Sequence, residues 1–265
     1  MKYLKVFDIG LQNTFVYRWN FLLRALFGVV PLIGTVFIWR AIFEERNASI
    51  AGYDYRAMIF YFLLTLLVEN LITPTEDEWQ IAADIRDGRI SSFLTKPINY
   101  LGYRLSLYGS YRVLYSAVTA IPVVLIFFFL RDYLSLPRDP LTWLAFALSL
   151  FMAAMIQFFI AYSLAMLAFW ILEISTVVFI LYSFEYFLSG QVFPLDIMPG
   201  WLQGFIHWSP FTYEIFFPVQ VYMERVRGMD LLSGLMTQAV WVLLMWMLAT
   251  TLWNRGVRQY QAVGG

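Results

Sequence analysis

Residues 141–193 read LTWLAFALSLFMAAMIQFFIAYSLAMLAFWILEISTVVFILYSFEYFLSGQVF, and the charged side chains among them are Glu173 and Glu185 alone. A hydrocarbon core about 30 Å thick takes roughly 20 mostly apolar residues per helical crossing, so the stretch is too long for one crossing and must fold back on itself. The break falls at Glu173-Ile174-Ser175. In lipid only helices and closed barrels satisfy every backbone polar group, and apolar runs that are continuous rather than alternating select helices. The reading is a fourth crossing at 141–172 and a fifth at 175–192, joined by a very tight turn.

Outward from there, the same arithmetic places crossings at 21–43, 57–73, 108–130 and 232–253, six in all. Pro122 is placed to kink the third. Residues 1–20 set Leu4, Phe7, Leu11 and Phe15 at near-helical spacing among Lys2, Lys5, Asp8 and Gln12, as an amphipathic helix at the membrane interface would. That mixed opening argues against a cleavable signal peptide. Residues 193–229 are aromatic and apolar yet cut by Pro194, Pro199, Pro210 and Pro218, too interrupted to span and too greasy for a free loop. Short external re-entrant helices are expected there. A polar segment at 75–104 and a tail at 254–265 complete an all-α polytopic membrane protein with a single transmembrane domain.

Composition excludes much else. Apolar residues are 61% and charged residues 14%, against about 45–50% and about 25% in soluble domains. Eighteen basic side chains balance 18 acidic ones, so no overall field argues for nucleic acid. The chain has no cysteine and one histidine, His207, which rules out disulfides, thiolate sites and multi-histidine metal sites.

With six crossings both termini share a side. Eleven basic residues fall there, Lys2, Lys5 and Lys96 included, against seven on the other, so the positive-inside rule makes the termini and the 75–104 segment cytoplasmic.

That segment opens TEDEWQIAADIRDGRISSFLTKPINY, residues 75–100. Thr75 with Glu78 forms a capping box, Glu76 and Asp77 put negative charge in a first turn, and Gly88 can take the left-handed stop, which gives a helix over 76–87. Trp79, Ala82 and Ile85 fall on one face, while Asp77, Asp84 and Asp87 stay polar. Composition alone fits a solvated loop; length and defined caps point to a docking element.

The runs IAADIRDGRISSFLTKPINY at 81–100 and LSGQVFPLDIMPGWLQGFIHWSPFTY at 188–213 resemble the membrane subunits of ABC-2 type ABC transporters, in particular the branch of short permeases with no ATPase domain of their own. The likeness extends over essentially the whole chain. It implies a permease that dimerises with a second copy or a similar permease in the surrounding lipid of a prokaryotic cell membrane. It also implies two copies of a separate cytoplasmic ABC ATPase, with ATP and Mg on that partner and no cofactor on this chain, working as an exporter. The coupling contact would fall on Ile81, Asp84, Ile85, Arg86, Asp87, Arg89 and Leu94. No GxxxxGK[ST] phosphate loop occurs in the sequence, in keeping with an ATPase on another chain.

An ionisable group inside a span costs about 2.5–3.5 kcal/mol on insertion scales and is usually placed for a reason. Glu185, with Gln157 on the preceding span, is the deepest, and two readings stand side by side: a polar lining of the translocation path, or a hydrogen-bonded carboxyl joining helices. Glu69, Asn70 and Glu173 sit near span ends, where snorkelling or local pairing accounts for them. Arg24, Arg40 and Arg112 are expected as interface anchors. Phe193, Trp201 and Trp208 are candidates for an external gate, although an aromatic belt at headgroup level, with His207 in it, explains the same residues. Asp196 precedes IMPGWLQ as a helix cap.

Two other classes compete with a permease. An intramembrane enzyme needs a nucleophile–base pair or metal site, and no such set assembles. A stand-alone channel or ion-coupled carrier usually shows several intramembrane charges or inverted repeats with broken helices, which are not evident.

Overall fold

A computed structural model describes residues 2–16, 18–46, 49–73 and 77–260, so Asn47, Thr75, Glu76 and the tail after Tyr260 lie outside the described residues. The elements are α1 (Lys2–Phe15), α2 (Arg18–Arg46), α3 (Tyr55–Ile72), α4 (Asp77–Arg86), α5 (Ser91–Leu94), α6 (Tyr100–Phe129), α7 (Pro140–Met166), α8 (Ser175–Leu188), α9 (Gly200–Ile206), α10 (Phe216–Tyr222) and α11 (Gly228–Gln259). No strand occurs among the described residues.

Local chemistry sets the starts. Asp54, Asn99 and Asp139 each accept a backbone N–H with the side-chain oxygen, from Ala57, Gly102 and Leu141 at 2.7, 3.0 and 2.9 Å, capping α3, α6 and α7. Pro140 occupies the first position of α7, where a missing N–H costs nothing. Gly88, at φ +75°, turns the chain out of α4.

Five helices, α2, α3, α6, α7 and α11, are long and apolar enough to cross a membrane. Large apolar side chains such as Phe27, Phe128, Phe179 and Trp246 point outward from α2, α6, α8 and α11, as a lipid solvent permits and water does not. The core gathers on α7, which buries every residue from Ile156 to Met166 under α11, α10, α4 and α3.

The chain turns where expected. α7 runs on as one 3-10 turn, Leu167–Phe169, and α8 begins at Ser175. The Ser175 N–H donates to Glu173 at 3.0 Å and holds that carboxyl below the usual carboxylate range. The far end of α8 differs from expectation. It stops at Leu188, four residues before Val192, and its 14 residues span roughly 21 Å, less than a full hydrocarbon core. Gly190, at φ +88°, is the cause. A Cβ there would lie 2.5 Å from the Tyr61 hydroxyl oxygen, and that hydroxyl donates to the Gly190 carbonyl at 2.6 Å.

Side-chain bonds sort the connections into two ends of the bundle. At one, Lys2 donates to the Pro97 carbonyl, Arg86 to the Leu172 carbonyl, and the Tyr260 and Ser91 hydroxyls share a hydrogen bond. At the other, Arg225 donates to the Ala51 and Gly52 carbonyls and Tyr53 to Asp196. α1 packs lengthwise on α6, Tyr3 against Gly102, Phe7 against Gly109 and Gly10 against Ser110. Residues 193–229 hold two single 3-10 turns with α9 and α10, and every residue of α10 is buried against the core.

Candidate coupling face and membrane groove

α4 is an amphipathic helix whose apolar side faces its own bundle. Ile81 and Ile85 are 0% and 4% exposed, with Ala82 between them, packed on α7. The expectation that Ile81 and Ile85 touch a partner is corrected by this burial: they hold the helix from behind. Asp84 is likewise not a solvated contact. Its carboxylate receives Arg104 Nη2 at 2.5 Å and the Tyr100 hydroxyl at 2.9 Å, with Arg89 Nε at 3.3 Å. Asp77 and Glu78 are buried as well, and Tyr182 of α8 hydrogen-bonds Glu78. Outward stand Arg86, Asp87, Arg89, Leu94 and Lys96, with Arg89 and Asp87 paired at 2.8 Å. α4 is therefore tied to α6, α7 and α8 on one side and open on the other.

A groove of about 420 Å³ runs between α2, α3, α6 and the end of α8, lined by Thr35, Phe62, Glu69, Asn70, Arg112 and Gln191 among others. A second cavity of about 520 Å³ shares its Thr35, Tyr186 and Gln191 walls and reaches Phe193. Phe193 thus borders the cavity, whereas Trp201 and Trp208, each 79% exposed, stand clear of it on the surface.

Because α6 begins at Tyr100, Arg112 lies on its fourth turn, roughly 18 Å along the axis. It is buried, with its guanidinium over Tyr115 and Tyr111 at 4.7 and 5.3 Å from the ring centroids, and Asp77 close enough to interact electrostatically. Glu69, expected near a span end, lines the groove on the same side.

Gln157 Nε2 donates to Glu185 Oε1 at 2.9 Å, joining α7 to α8. Both residues are buried, and neither lines the groove; the neighbouring Tyr186 does. Glu214, which the sequence did not bring forward, is fully buried beside them and interacts electrostatically with Glu185. At the opposite end Tyr53 donates to Asp196 at 2.8 Å and accepts from Gln220 at 2.5 Å, so Asp196 closes a clasp rather than capping a helix. Arg225 lies over the Tyr53 ring at 3.7 Å.

The described residues thus form a helical bundle with five helices long and apolar enough to cross a membrane, a polar outer face on α4 and a groove between α2, α3 and α6. The chain belongs to the ABC-2 transporter family, whose model, described as ABC-2 family transporter protein, matches residues 29–264. No curated protein matches the chain.

Proposed function

We propose that the chain is the permease subunit of an ATP-driven ABC exporter, paired with a second permease copy or a similar permease. Two copies of a separate ABC ATPase bind ATP and Mg on the cytoplasmic side. In this reading the membrane is the plasma membrane of a prokaryote, both termini and α4–α5 are cytoplasmic, and α8 with the residues after it forms a short fifth of six crossings. Residues 193–229 are then an external re-entrant segment.

The observation that carries the reading is the two-sidedness of α4. Its inner face is fixed to three helices of the groove-bearing bundle, through Asp84 and Arg104 to α6, Ile81 and Ile85 to α7, and Glu78 and Tyr182 to α8. Its outer face offers Arg86, Asp87, Arg89 and Leu94. A push on α4 when the ATPase pair closes on ATP would reach the helices around the groove as a unit. A ligand shifts a two-state equilibrium only through an interaction that differs between the states, and this face supplies one. The groove then opens alternately to the two sides.

The test is co-purification with an ATPase encoded beside the permease gene, then reconstitution into vesicles and a screen for compounds that stimulate ATP hydrolysis. Complex formation with stimulated hydrolysis is expected. A permease that moves solute in vesicles with no ATPase present would overturn the reading in favour of a channel or carrier.

A further inference from the structure

Glu185 and Glu214 lie on facing elements where α8 passes into the segment after it, near enough to interact electrostatically. The Thr212 hydroxyl donates to the Leu188 carbonyl and the Phe216 N–H to the Ser189 carbonyl, so Glu214 is bracketed by two bonds to the last turn of α8. Glu185 lies one turn earlier, its own carbonyl accepting the Ser189 N–H. Glu214 is 0% and Glu185 7% exposed. Of their four carboxyl oxygens one has a hydrogen-bond donor, Gln157 on Glu185 Oε1; Glu185 Oε2 and both oxygens of Glu214 have none.

Among the described residues, the side chains that interact with the pair are Glu69 from α3, Glu78 from α4, Tyr108 from α6, Gln157 from α7 and Tyr182 from α8, with no lysine or arginine among them. An isolated buried carboxylate costs far more than folding can supply, and two carboxylates sharing a dry site cannot both stay ionised. A carboxylic acid, by contrast, has an O–H donor to offer an unpartnered oxygen beside it.

We propose that Glu185 and Glu214 form a proton-binding pair, occupied while α8 and residues 211–216 are packed together. The bound proton removes the repulsion between the two side chains and spares the fold a second buried carboxylate. Separating α8 from residues 211–216 would admit water to the pair and let it ionise. The pair is thus a proton site next to the groove rather than part of its lining. It goes beyond the transport reading and requires no ATPase.

Infrared spectra of the purified full-length permease in lipid nanodiscs at neutral pH test it, using the protonated-carboxyl C=O stretch. The wild type should show that band, and Glu185→Gln and Glu214→Gln should each reduce it. As a check independent of spectral overlap, the double Gln variant should melt no lower than the wild type at neutral pH, because the amides are neutral and keep the shape. Spectra of the wild type and both variants that coincide in this region would overturn the proposal. A double variant that melts well below the wild type would also overturn it, since ionised carboxylates held by a bound cation would then be what the fold needs. A present band in a permease that couples to no ATPase would sink the transport reading alone. An absent band in a working ATP-driven transporter would sink this one alone.

Discussion

Arg104 Nη2 lies 2.5 Å from Asp84 Oδ2, and Arg104 Nε donates to the Tyr100 hydroxyl at 2.9 Å. One buried guanidinium therefore locks α4 to the first turn of α6.

Removing it should be costly. Arg104→Ala leaves Asp84 without its buried counter-charge, a change worth about 3–5 kcal/mol when one partner of a buried pair is lost. Arg104→Lys should recover part of this, since an ammonium cannot serve both partners with the same fork. Melting of the detergent-purified permease measures both, and an unchanged Arg104→Ala melting temperature would contradict the bracing role.

The outer face should behave in the opposite way. Asp87→Lys combined with Arg89→Glu keeps the exposed pair but gives up the 3.3 Å contact of Arg89 with Asp84, which Arg104 still holds, so melting should fall only slightly. ATPase recovered with the permease should fall several-fold. Full recovery of the complex would remove these two side chains from the coupling contact.

The Tyr53 clasp makes a prediction at the other end. Tyr53→Phe keeps the ring that packs on Tyr61 and under Arg225 but strips the hydroxyl from Asp196 and Gln220. Gln220 and Asp196 keep their own 2.9 Å bond, so the cost is that of the lost hydroxyl bonds, about 1–3 kcal/mol. The expected result is a lowered melting temperature and faster proteolysis between residues 193 and 200, with α4–α5 unaffected.

Close helix approach supplies a steric prediction. A Cβ added at Gly256 would lie 2.2 Å from Phe169 Cδ2. The overpacking cost of about 1–3 kcal/mol exceeds the helix-propensity gain of under about 1 kcal/mol, so Gly256→Ala should destabilise. Adding Phe169→Leu should restore part of the loss, and additivity of the two changes would count against direct contact.

Orientation is testable because the chain has no cysteine. An impermeant thiol reagent on intact cells should label Arg227→Cys and leave Arg89→Cys untouched until the cells are opened. The reverse pattern would invert the proposed topology.

Much of this architecture was legible where the signal is local. Gly88 as a stop, the turn before Ser175 and the long apolar runs follow from residues adjacent in sequence. The direction in which α4 faces did not. Ile81 and Ile85 share a helical side, but periodicity says only that one side is apolar, not whether it meets the same chain or another. Asp84 read as polar surface because its partner, Arg104, is 20 residues away. The start of α6 at Tyr100 was hidden because YLGYRLSLYGSYR is too polar to register as membrane, although Asn99 caps the helix. Glu214 lies in a proline-broken segment with no period to place it, so its burial had no sequence signal.

The unbroken burial of α7 from Ile156 to Met166 bears on biogenesis. α11, made after the other described helices, packs along α7 and stitches it to the preceding segment, since Gln238 Nε2 donates at 2.8 Å to both the Ser149 and Tyr213 carbonyls. Until α11 inserts, that flank of α7 and those two carbonyls face the bilayer uncovered. Covering of α7 is therefore completed only when α11 is made, and a chain stalled before Gly228 presents membrane quality control with an uncovered central helix rather than a smaller finished domain.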